Sequence, residues 1–304
     1  MKVLVTGGTG MVGSAIKHFR PDWIYIGTKD CDLRNYEETS KYFNDVKPTH
    51  VIHLAARVGG LFRNLREPVE MFQDNMTITI NILKCSKEVG VQKVISILST
   101  CIFPDRVEYP LTEEKLHIGP PHYSNEGYAY AKRMLECLSR YYNSNYTCVT
   151  PVNMYGPNDN YDPENSHVIP GIMYKMIKAG ASASNLELKG TGAPLRQFMY
   201  SRDFARALVE LTIMRDNLPH NLIIAPPCKD ECSIKEIAEL IKNIMSFSGE
   251  IVFENDTKND GQFRKTASAE KFNNLFPDFK FTDMTVALED TYKDYKQKYI
   301  YFKI

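Results

Sequence analysis

Short apolar runs alternate with longer amphipathic segments along the first half of the chain. The apolar runs lie at 3–5, 23–26, 51–55, 94–98 and 148–152, and helical periodicity is found near 12–20, 36–46, 70–89 and 125–143. Strands and helices that alternate in this way are typical of βαβ units, which build a parallel sheet with helices on its faces. The pattern predicts an α/β protein with a Rossmann-type, doubly wound parallel sheet.

The pattern changes after Pro157, where helical periodicity weakens until Ile234. We expect this part to form a smaller C-terminal substrate-binding α/β domain, built from segments that alternate with returns to the sheet. The predicted boundaries are 1–156 plus about 194–228 for the Rossmann domain, and about 157–193 plus 229–304 for the substrate-binding domain.

A glycine-rich stretch directly follows the first apolar run. Gly7, Gly10 and Gly13 are three residues apart and lead into an amphipathic segment. Glycines at such a turn let backbone amides approach a pyrophosphate, and the N-terminus of the following helix favours its negative charge. The stretch therefore predicts a dinucleotide-binding site.

The end of the second apolar run bears on the choice of dinucleotide. NAD-specific Rossmann enzymes place Asp or Glu about 20 residues beyond the glycines, where it binds the ribose 2′-hydroxyl. Here Gly27, Thr28 and Lys29 follow the run, so a cation stands where a carboxylate is expected. A cation suits a 2′-phosphate and favours NADP(H), whereas the nearby Asp30 keeps NAD(H) open.

Four chemically useful side chains stand close to the fourth apolar run. Ser99 and Cys101 follow this run directly, and Tyr128 and Lys132 are four residues apart, which places them on one face of a helix. Strand ends deliver side chains to the ligand-binding edge of a parallel sheet. We expect the Lys132 ammonium to lower the pKa of Tyr128 from about 10. These groups are suited to hydride transfer at a carbonyl.

Composition indicates a small-molecule partner. Acidic and basic residues balance at 37 each, which leaves no basic surface for nucleic acid or an anionic membrane. The seven cysteines are an odd number without framework spacing, which favours a reducing compartment. No apolar run approaches the roughly 18 residues of a membrane helix, and Met1 leads straight into the first run. We expect a cytoplasmic protein without a metal.

Several motifs resemble extended short-chain dehydrogenases. They are Gly-Gly-Thr-Gly-Met-Val-Gly at 7–13, His-Leu-Ala-Ala at 53–56, Ser-Thr-Cys at 99–101, the pair Tyr128 and Lys132, Asn-Met-Tyr-Gly-Pro at 153–157 and Arg-Gln-Phe-Met-Tyr at 196–200. Others are similar to the GDP-L-fucose synthase family, and they are Val-Gly-Gly-Leu at 58–61, Ser-Thr-Cys-Ile-Phe-Pro at 99–104, Ser-His-Val-Ile-Pro at 166–170 and Asp-Gly-Gln-Phe-Arg-Lys at 260–265. The resemblance runs nearly end to end.

The resemblance implies a bifunctional NADPH-dependent 3,5-epimerase and 4-reductase that converts GDP-4-keto-6-deoxy-D-mannose to GDP-L-fucose. Ser99 and Tyr128 would stabilise the C4 oxygen, with Tyr128 as proton donor, while Lys132 would hold the tyrosine and the nicotinamide ribose. By the same resemblance, Cys101 and His167 are the base and acid of epimerisation. It also suggests a homodimer packed through the helices near 70–89 and 125–143.

The resemblance also implies two sets of binding residues. Those for the cofactor are Gly7, Gly8, Thr9, Gly10, Met11, Val12, Gly13, Thr28, Lys29, Asp32, Leu33, Leu54, Ala55, Ala56, Leu98, Tyr128, Lys132, Pro151, Asn153, Met154 and His167. Those for the substrate are Ser99, Asn153, Lys175, Lys189, Arg196, Asp260 and Lys265. Two of them depart from the family pattern, since Lys175 stands where relatives often carry Arg and Lys189 where many carry Trp.

Alternatives remain open at this point. The substrate is open to another nucleotide-activated 4-keto-6-deoxy sugar, UDP- or dTDP-linked, with a rhamnose-type product. A 4,6-dehydratase is disfavoured, because such relatives place acidic residues where Cys101 and Ile102 stand. A non-catalytic dinucleotide-sensing protein is also disfavoured, because Ser99, Tyr128 and Lys132 are all present. Free cysteines are most often small buried hydrophobes, which is the competing interpretation of Cys101.

Overall fold

The computed structural model describes residues 1–162, 166–181, 184–214 and 218–300. The strands are β1 (Val3–Thr6), β2 (Ile24–Ile26), β3 (His50–His53), β4 (Lys93–Ile97), β5 (Tyr146–Pro151), β6 (Asn153–Tyr155), β7 (Leu186–Leu188), β8 (Leu195–Arg196), β9 (Phe198–Tyr200), β10 (Asn221–Ile224), β11 (Cys232–Ser233) and β12 (Ile251–Phe253). The positions 163–165, 182–183, 215–217 and 301–304, which fall within the predicted domains, lie outside the described residues.

The α-helices are α1 (Met11–Phe19), α2 (Tyr36–Val46), α3 (Leu61–Arg66), α4 (Pro68–Glu88), α5 (Glu126–Tyr142), α6 (Val168–Ala181), α7 (Ser201–Ile213), α8 (Ile234–Met245), α9 (Glu270–Leu275) and α10 (Met284–Tyr295). Short 3-10 turns connect several of them, including Thr100–Ile102 after β4. No helix in the described part of the chain is both long and apolar enough to cross a membrane.

Six strands form one central sheet in the order β10-β5-β4-β3-β1-β2. Every neighbouring pair in it is parallel. Parallel neighbours require crossover connections, and helices supply them between successive strands. The predicted fold class, an α/β protein with a doubly wound parallel sheet, is confirmed.

Two hydrophobic clusters make up the core. The larger one surrounds the central sheet and includes the buried strand residues Leu4, Ile52 and Ile95. The smaller one joins α6, α8 and α10 with short strands, and Met173 and Ile241 lie at its centre. This second cluster is the packing basis for a separate substrate-binding unit, which stays a prediction.

One C-terminal segment packs differently from its predicted domain. Ala267, Ala269 and Phe272 belong to the larger cluster around the sheet, although the predicted boundary assigned 229–304 to the smaller unit. These residues join the larger cluster because α9 packs against β10, an edge strand of the central sheet. Chain order alone does not reveal such a return to the first core.

Two helices stand where the sequence shows weak periodicity. In α6 the apolar residues spread over most of the helix surface, and in α7 nine of thirteen residues are buried. A helix with apolar residues on most sides has low amphipathic contrast, which explains why the sequence pattern marks α6 poorly. α7 is amphipathic, because its less buried positions Arg202, Arg206 and Glu210 recur every four residues, and the sequence analysis missed this pattern.

Candidate active site

The glycine turn lies at the point where the strand order reverses, between β1 and β3. Gly7 has φ +68°, and a Cβ there would lie 2.8 Å from the Ala55 backbone nitrogen. A Cβ on Gly13 would lie 2.5 Å from Gly8 Cα, so α1 approaches the turn closely. Open α/β sheets bind ligands at such a switch point. The glycines therefore shape a cradle that side chains would fill.

The N-terminus of α1 faces this cradle. Its N-cap residue is Gly10, which makes no side-chain capping hydrogen bond, and the first turn contains no acidic side chain. The first amides of a helix have no intrahelical partner and carry the positive end of the helix dipole. The turn and helix thus fit the pyrophosphate of a dinucleotide.

Two cationic residues, Lys29 and Arg34, follow β2, where the cofactor ribose is expected. The Asp30 carboxylate accepts a hydrogen bond from the Gly27 amide at 2.8 Å, so it is used to close the turn. Lys29 is exposed, and Arg34 forms a 2.8 Å ion pair with Asp32. Sequence reasoning missed Arg34, although its position two residues after Asp32 was available. The geometry favours a phosphate-bearing ribose over a bare one.

Ser99 and Cys101 lie together in the turn that follows β4. The Ser99 hydroxyl oxygen accepts from the Cys101 thiol at 3.3 Å and from the Cys101 backbone N–H at 3.5 Å. The intervening 3-10 turn reverses the chain at the carboxyl end of the strand. It thereby brings a hydroxyl and a thiol to one point of the sheet edge, as predicted from the sequence.

Tyr128 and Lys132 lie on α5 beside this turn. The Lys132 ammonium nitrogen is 5.9 Å from the centroid of the Tyr128 ring and donates to the Ile97 carbonyl at 2.8 Å. Burial lowers the pKa of Lys132 to about 8. The lysine therefore anchors α5 to the end of β4.

The expected pKa shift of Tyr128 is wrong in direction. Desolvation of the phenol, followed by the nearby Cys101 thiol, raises the pKa of Tyr128 above its usual range. The Lys132 ammonium donates to the Ile97 carbonyl, and desolvation of the phenol has the largest effect on the pKa of Tyr128. The phenol is consequently held in its protonated form, ready to give a proton.

Lys265 lies near the turn that carries Cys101, and His167 lies near Lys265. Burial, followed by the Arg196 guanidinium, lowers the pKa of Lys265 to about 8, and the nearby Cys101 thiol acts in the opposite direction. His167 is exposed to solvent, and desolvation by neighbouring atoms, followed by the Lys265 ammonium, lowers its pKa. Lys265 is therefore the neighbour that Cys101 and His167 share.

Arg196 and Asp260 are tied to neighbouring segments. The Arg196 guanidinium donates to the carbonyls of Gln262 at 2.6 Å and Phe263 at 3.1 Å, and it is buried. The Asp260 carboxylate accepts from the amide of Thr191 at 2.7 Å and from its hydroxyl at 2.9 Å. Both residues therefore fix the conformation of the segment that carries Lys265, in addition to any role in ligand binding.

Two lysines of the predicted substrate set lie near each other. Burial, followed by the neighbouring Lys189, lowers the pKa of Lys175, and the nearby Glu254 carboxylate acts in the opposite direction. This part of the predicted substrate set therefore carries charges of both signs.

The remaining predicted cofactor residues follow the ends of strands. They are Leu54, Ala55 and Ala56 after β3, Leu98 after β4, Pro151 at the end of β5, and Asn153 and Met154 at the start of β6. Since β3, β4 and β5 are parallel, these ends lie at the same edge of the sheet. The structure thereby brings them to the edge that carries the glycine turn.

Sequence reasoning missed the residues that shape the loop after β3. Arg57 forms 2.7 Å ion pairs with Glu67 and with Asp74, and these contacts fix the start of the loop. A Cβ on Gly60 would lie 3.4 Å from the Ser166 carbonyl oxygen, directly before His167. The Val-Gly-Gly-Leu motif at 58–61 was the available signal for this approach.

Comparison with known proteins identifies the family. Residues 3–225 match the model of the NAD dependent epimerase/dehydratase family. The chain belongs to this family. It is 47% identical to GDP-L-fucose synthase of Dictyostelium discoideum over 300 residues, covering 95% of this chain and 93% of that protein. It is 42% identical to probable GDP-L-fucose synthase of Drosophila melanogaster, covering 98% of each.

The fold agrees with a solved member of this family. The crystal structure of a GDP-L-fucose synthetase from Naegleria fowleri bound to NADP superposes with a TM-score of 0.91 at 44% identity, covering 98% of this chain and 93% of that one. The family resemblance found in the sequence motifs is thus confirmed.

Proposed function

We propose that the protein converts GDP-4-keto-6-deoxy-D-mannose to GDP-L-fucose, by epimerisation at C3 and C5 and NADPH-dependent reduction at C4. The observation that carries the proposal is that Ser99, Cys101, Tyr128 and Lys132 lie together at one sheet edge, with Lys265 near Cys101 and His167 near Lys265. The high identity to proteins named GDP-L-fucose synthase supports the substrate.

Epimerisation uses the acidity of the carbons beside the C4 carbonyl. The Cys101 thiolate takes the proton from carbon, and the electron pair moves onto the C4 oxygen as an enolate. His167 acts as the acid that returns a proton from the opposite face, which inverts the carbon. The hydroxyls of Ser99 and Tyr128 donate to the oxygen while it carries charge. Between the two carbons, Cys101 gives its proton to solvent and His167 takes one from solvent, so the same groups act again.

Reduction uses the same oxygen. NADPH, when bound in the glycine cradle, supplies the hydride for C4. Tyr128 gives its phenolic proton to the C4 oxygen, and its raised pKa keeps that proton in place beforehand. Lys132 fixes α5 against the end of β4, and we assign its ammonium to the nicotinamide ribose as well. One oxyanion site thus serves both reactions.

The substrate contacts are part of the proposal. We assign the diphosphate to Arg196, Lys175 and Lys189, whose charges suit phosphate. Asn153, Asp260 and Lys265 complete the binding set. A substrate domain at about 157–193 and 229–304 provides most of these groups.

Product analysis distinguishes the proposal from its alternatives. The protein is incubated with NADPH and, in separate reactions, the GDP-, UDP- and dTDP-linked 4-keto-6-deoxy sugars. We expect NADPH oxidation and a fucose product from the GDP-linked sugar. Preference for a UDP- or dTDP-linked sugar would favour the rhamnose-type alternative. NADPH binding without oxidation by any of them would favour a dinucleotide-sensing protein.

Lys29→Ala tests the predicted cofactor preference. Only NADPH carries a 2′-phosphate, so we expect the KM for NADPH to rise about tenfold to hundredfold while that for NADH stays nearly constant. The measurement is steady-state kinetics with each cofactor. Lys41→Ala is the matched control, because Lys41 is an exposed lysine paired with Asp45 on α2. Equal weakening of both cofactors by Lys29→Ala contradicts the assignment.

A homodimer is a further part of the proposal. Four apolar side chains form a patch beside α4 and the start of α5, here called the apolar patch, and their exposed fractions are 46% for Leu65, 58% for Val69, 39% for Phe72 and 71% for Tyr123. Large exposed apolar patches mark interaction surfaces. A second copy of the chain would cover the patch through the same helices.

Phe72→Glu tests the homodimer. Placing a charge within the apolar patch opposes burial of the patch, so we expect the variant to be monomeric where the native protein is dimeric. Light scattering after size-exclusion chromatography measures the mass. Val286→Glu is the control, since Val286 is 56% exposed on α10, away from the patch. A monomeric native protein at micromolar concentration would refute the dimer.

We infer a reducing compartment, such as the cytoplasm, for the protein. All seven cysteines are free thiols, and Cys31, Cys85 and Cys148 are buried in the larger cluster. Unpaired thiols are usual where glutathione and thioredoxin keep cysteine reduced.

A further inference from the structure

Arg133 is a buried arginine that the mechanism above does not use. It follows Lys132 on α5 and is 5% exposed. Its Nε donates to the Ile102 carbonyl at 2.6 Å, and its Nη1 donates to the Gly119 carbonyl at 2.8 Å. Both acceptors are neutral, and no hydrogen bond is found for the buried Nη2 among the described residues. A guanidinium held in this way is costly to bury.

Two backbone carbonyls accept hydrogen bonds from α5, and they lie on either side of the turn that carries Ser99 and Cys101. Lys132 donates to Ile97, two residues before Ser99, and Arg133 donates to Ile102, directly after Cys101. Consecutive residues of one helix thus fix both ends of the segment that carries the hydroxyl and the thiol. The same helix carries Tyr128, so its distance to Cys101 depends on these two contacts.

The hydrogen bond from Arg133 to the Gly119 carbonyl supports the same turn from its outer side. Gly119 packs closely here, since a Cβ on it would lie 3.3 Å from Pro104 Cβ, and the Asp105 amide donates to the Pro120 carbonyl at 2.9 Å. The segment after Cys101 and the segment at 119–121 therefore form one unit, and Arg133 joins that unit to α5.

We propose that Arg133 is a positioning residue that fixes the Cys101 thiol relative to Tyr128 for the epimerisation steps. The inference rests on the proposed function. Carbon deprotonation is sensitive to the placement of the base, whereas Lys132 holds the preceding strand end independently of Arg133. Loss of Arg133 therefore affects proton transfer at carbon more than cofactor binding or hydride transfer.

Arg133→Met tests the inference, because methionine keeps an unbranched apolar chain but cannot donate. Deuterium uptake from D2O at C3 and C5 of the keto sugar is measured without reductant, and hydride transfer is measured by single-turnover NADPH oxidation. We expect deuterium uptake to fall about tenfold to hundredfold and the rate of hydride transfer to fall less. Arg133→Lys, which can reach one carbonyl, is expected to recover part of the uptake.

Two controls separate positioning from general stability. Arg140→Met removes a half-exposed arginine from the same helix, whose guanidinium lies 3.5 Å from Glu136, and it should leave the uptake unchanged. Thermal unfolding is recorded for every variant. If Arg133→Met does not fold, the same measurements are made on Arg133→Lys. Native uptake in a folded Arg133 variant, or equal loss of uptake and hydride transfer, overturns the inference. Absence of any uptake in the native protein would instead refute the proposed function.

Discussion

Tyr128→Phe is expected to lower the rate of C4 reduction by a factor of about 100 or more, within the range of general acid catalysis. The variant keeps the ring and its packing but has no proton for the C4 oxygen. Cys101 and His167 remain beside the acidified carbons, so deuterium uptake at C3 and C5 should fall less than reduction. Stopped-flow NADPH oxidation measures the first rate, and NMR of the keto sugar in D2O measures the second.

The control for this variant is Tyr141→Phe. Tyr141 lies on the same helix, α5, and is 76% exposed, so losing its hydroxyl should change neither rate. An equal loss of reduction and uptake in Tyr128→Phe would mean that the phenol is needed as much for the enolate as for the alkoxide. Native reduction in the variant would remove Tyr128 from the mechanism.

Cys101→Ser is expected to lower deuterium uptake at C3 and C5 by a factor of about 100 or more. An alcohol is a far weaker acid than a thiol and hardly ionises near neutrality, so the variant loses the base that takes the proton from carbon. The serine hydroxyl can still donate to Ser99, so the turn should keep its shape. Reduction uses Tyr128 and Lys132 and should continue slowly. We expect an unepimerised 6-deoxy sugar in place of fucose.

Cys228→Ser is the matched control, because Cys228 is an exposed free thiol outside the site. Its product should remain fucose at the native rate. If Cys101→Ser also makes GDP-L-fucose at the native rate, then Cys101 is a structural thiol and another group takes the proton from carbon.

The sequence predicts the Rossmann half of the molecule well. The segment expected near 36–46 is the helix Tyr36–Val46, and the apolar run at 94–98 differs by one residue from the strand Lys93–Ile97. The helix presents one apolar face to the sheet, and the strand lies almost wholly inside the core. The apolar residues therefore follow the period of each element. Within the second half, α6 carries apolar residues on most sides and loses that signal.

The sequence predicts which residues lie in the candidate site better than it predicts their pKa values. Ser99 and Cys101 lie together because both directly follow β4, and Tyr128 and Lys132 share one face of α5 because they are four residues apart. The pKa of Tyr128 depends on burial and on where Lys132 points, and neither is a property of spacing. Arg133 gives no pattern at all, since a single arginine on a helix is usually exposed. Its role follows only from the two carbonyls that it meets.

The most direct test of a single site serving both reactions is the isotopic content of the product made in D2O. The native protein is given GDP-4-keto-6-deoxy-D-mannose and NADPH in D2O, and the nucleotide sugar is analysed by NMR and mass spectrometry. We expect GDP-L-fucose that carries deuterium at both C3 and C5 and protium from NADPH at C4. A reduced sugar of unchanged configuration with protium at C3 and C5 would contradict this expectation.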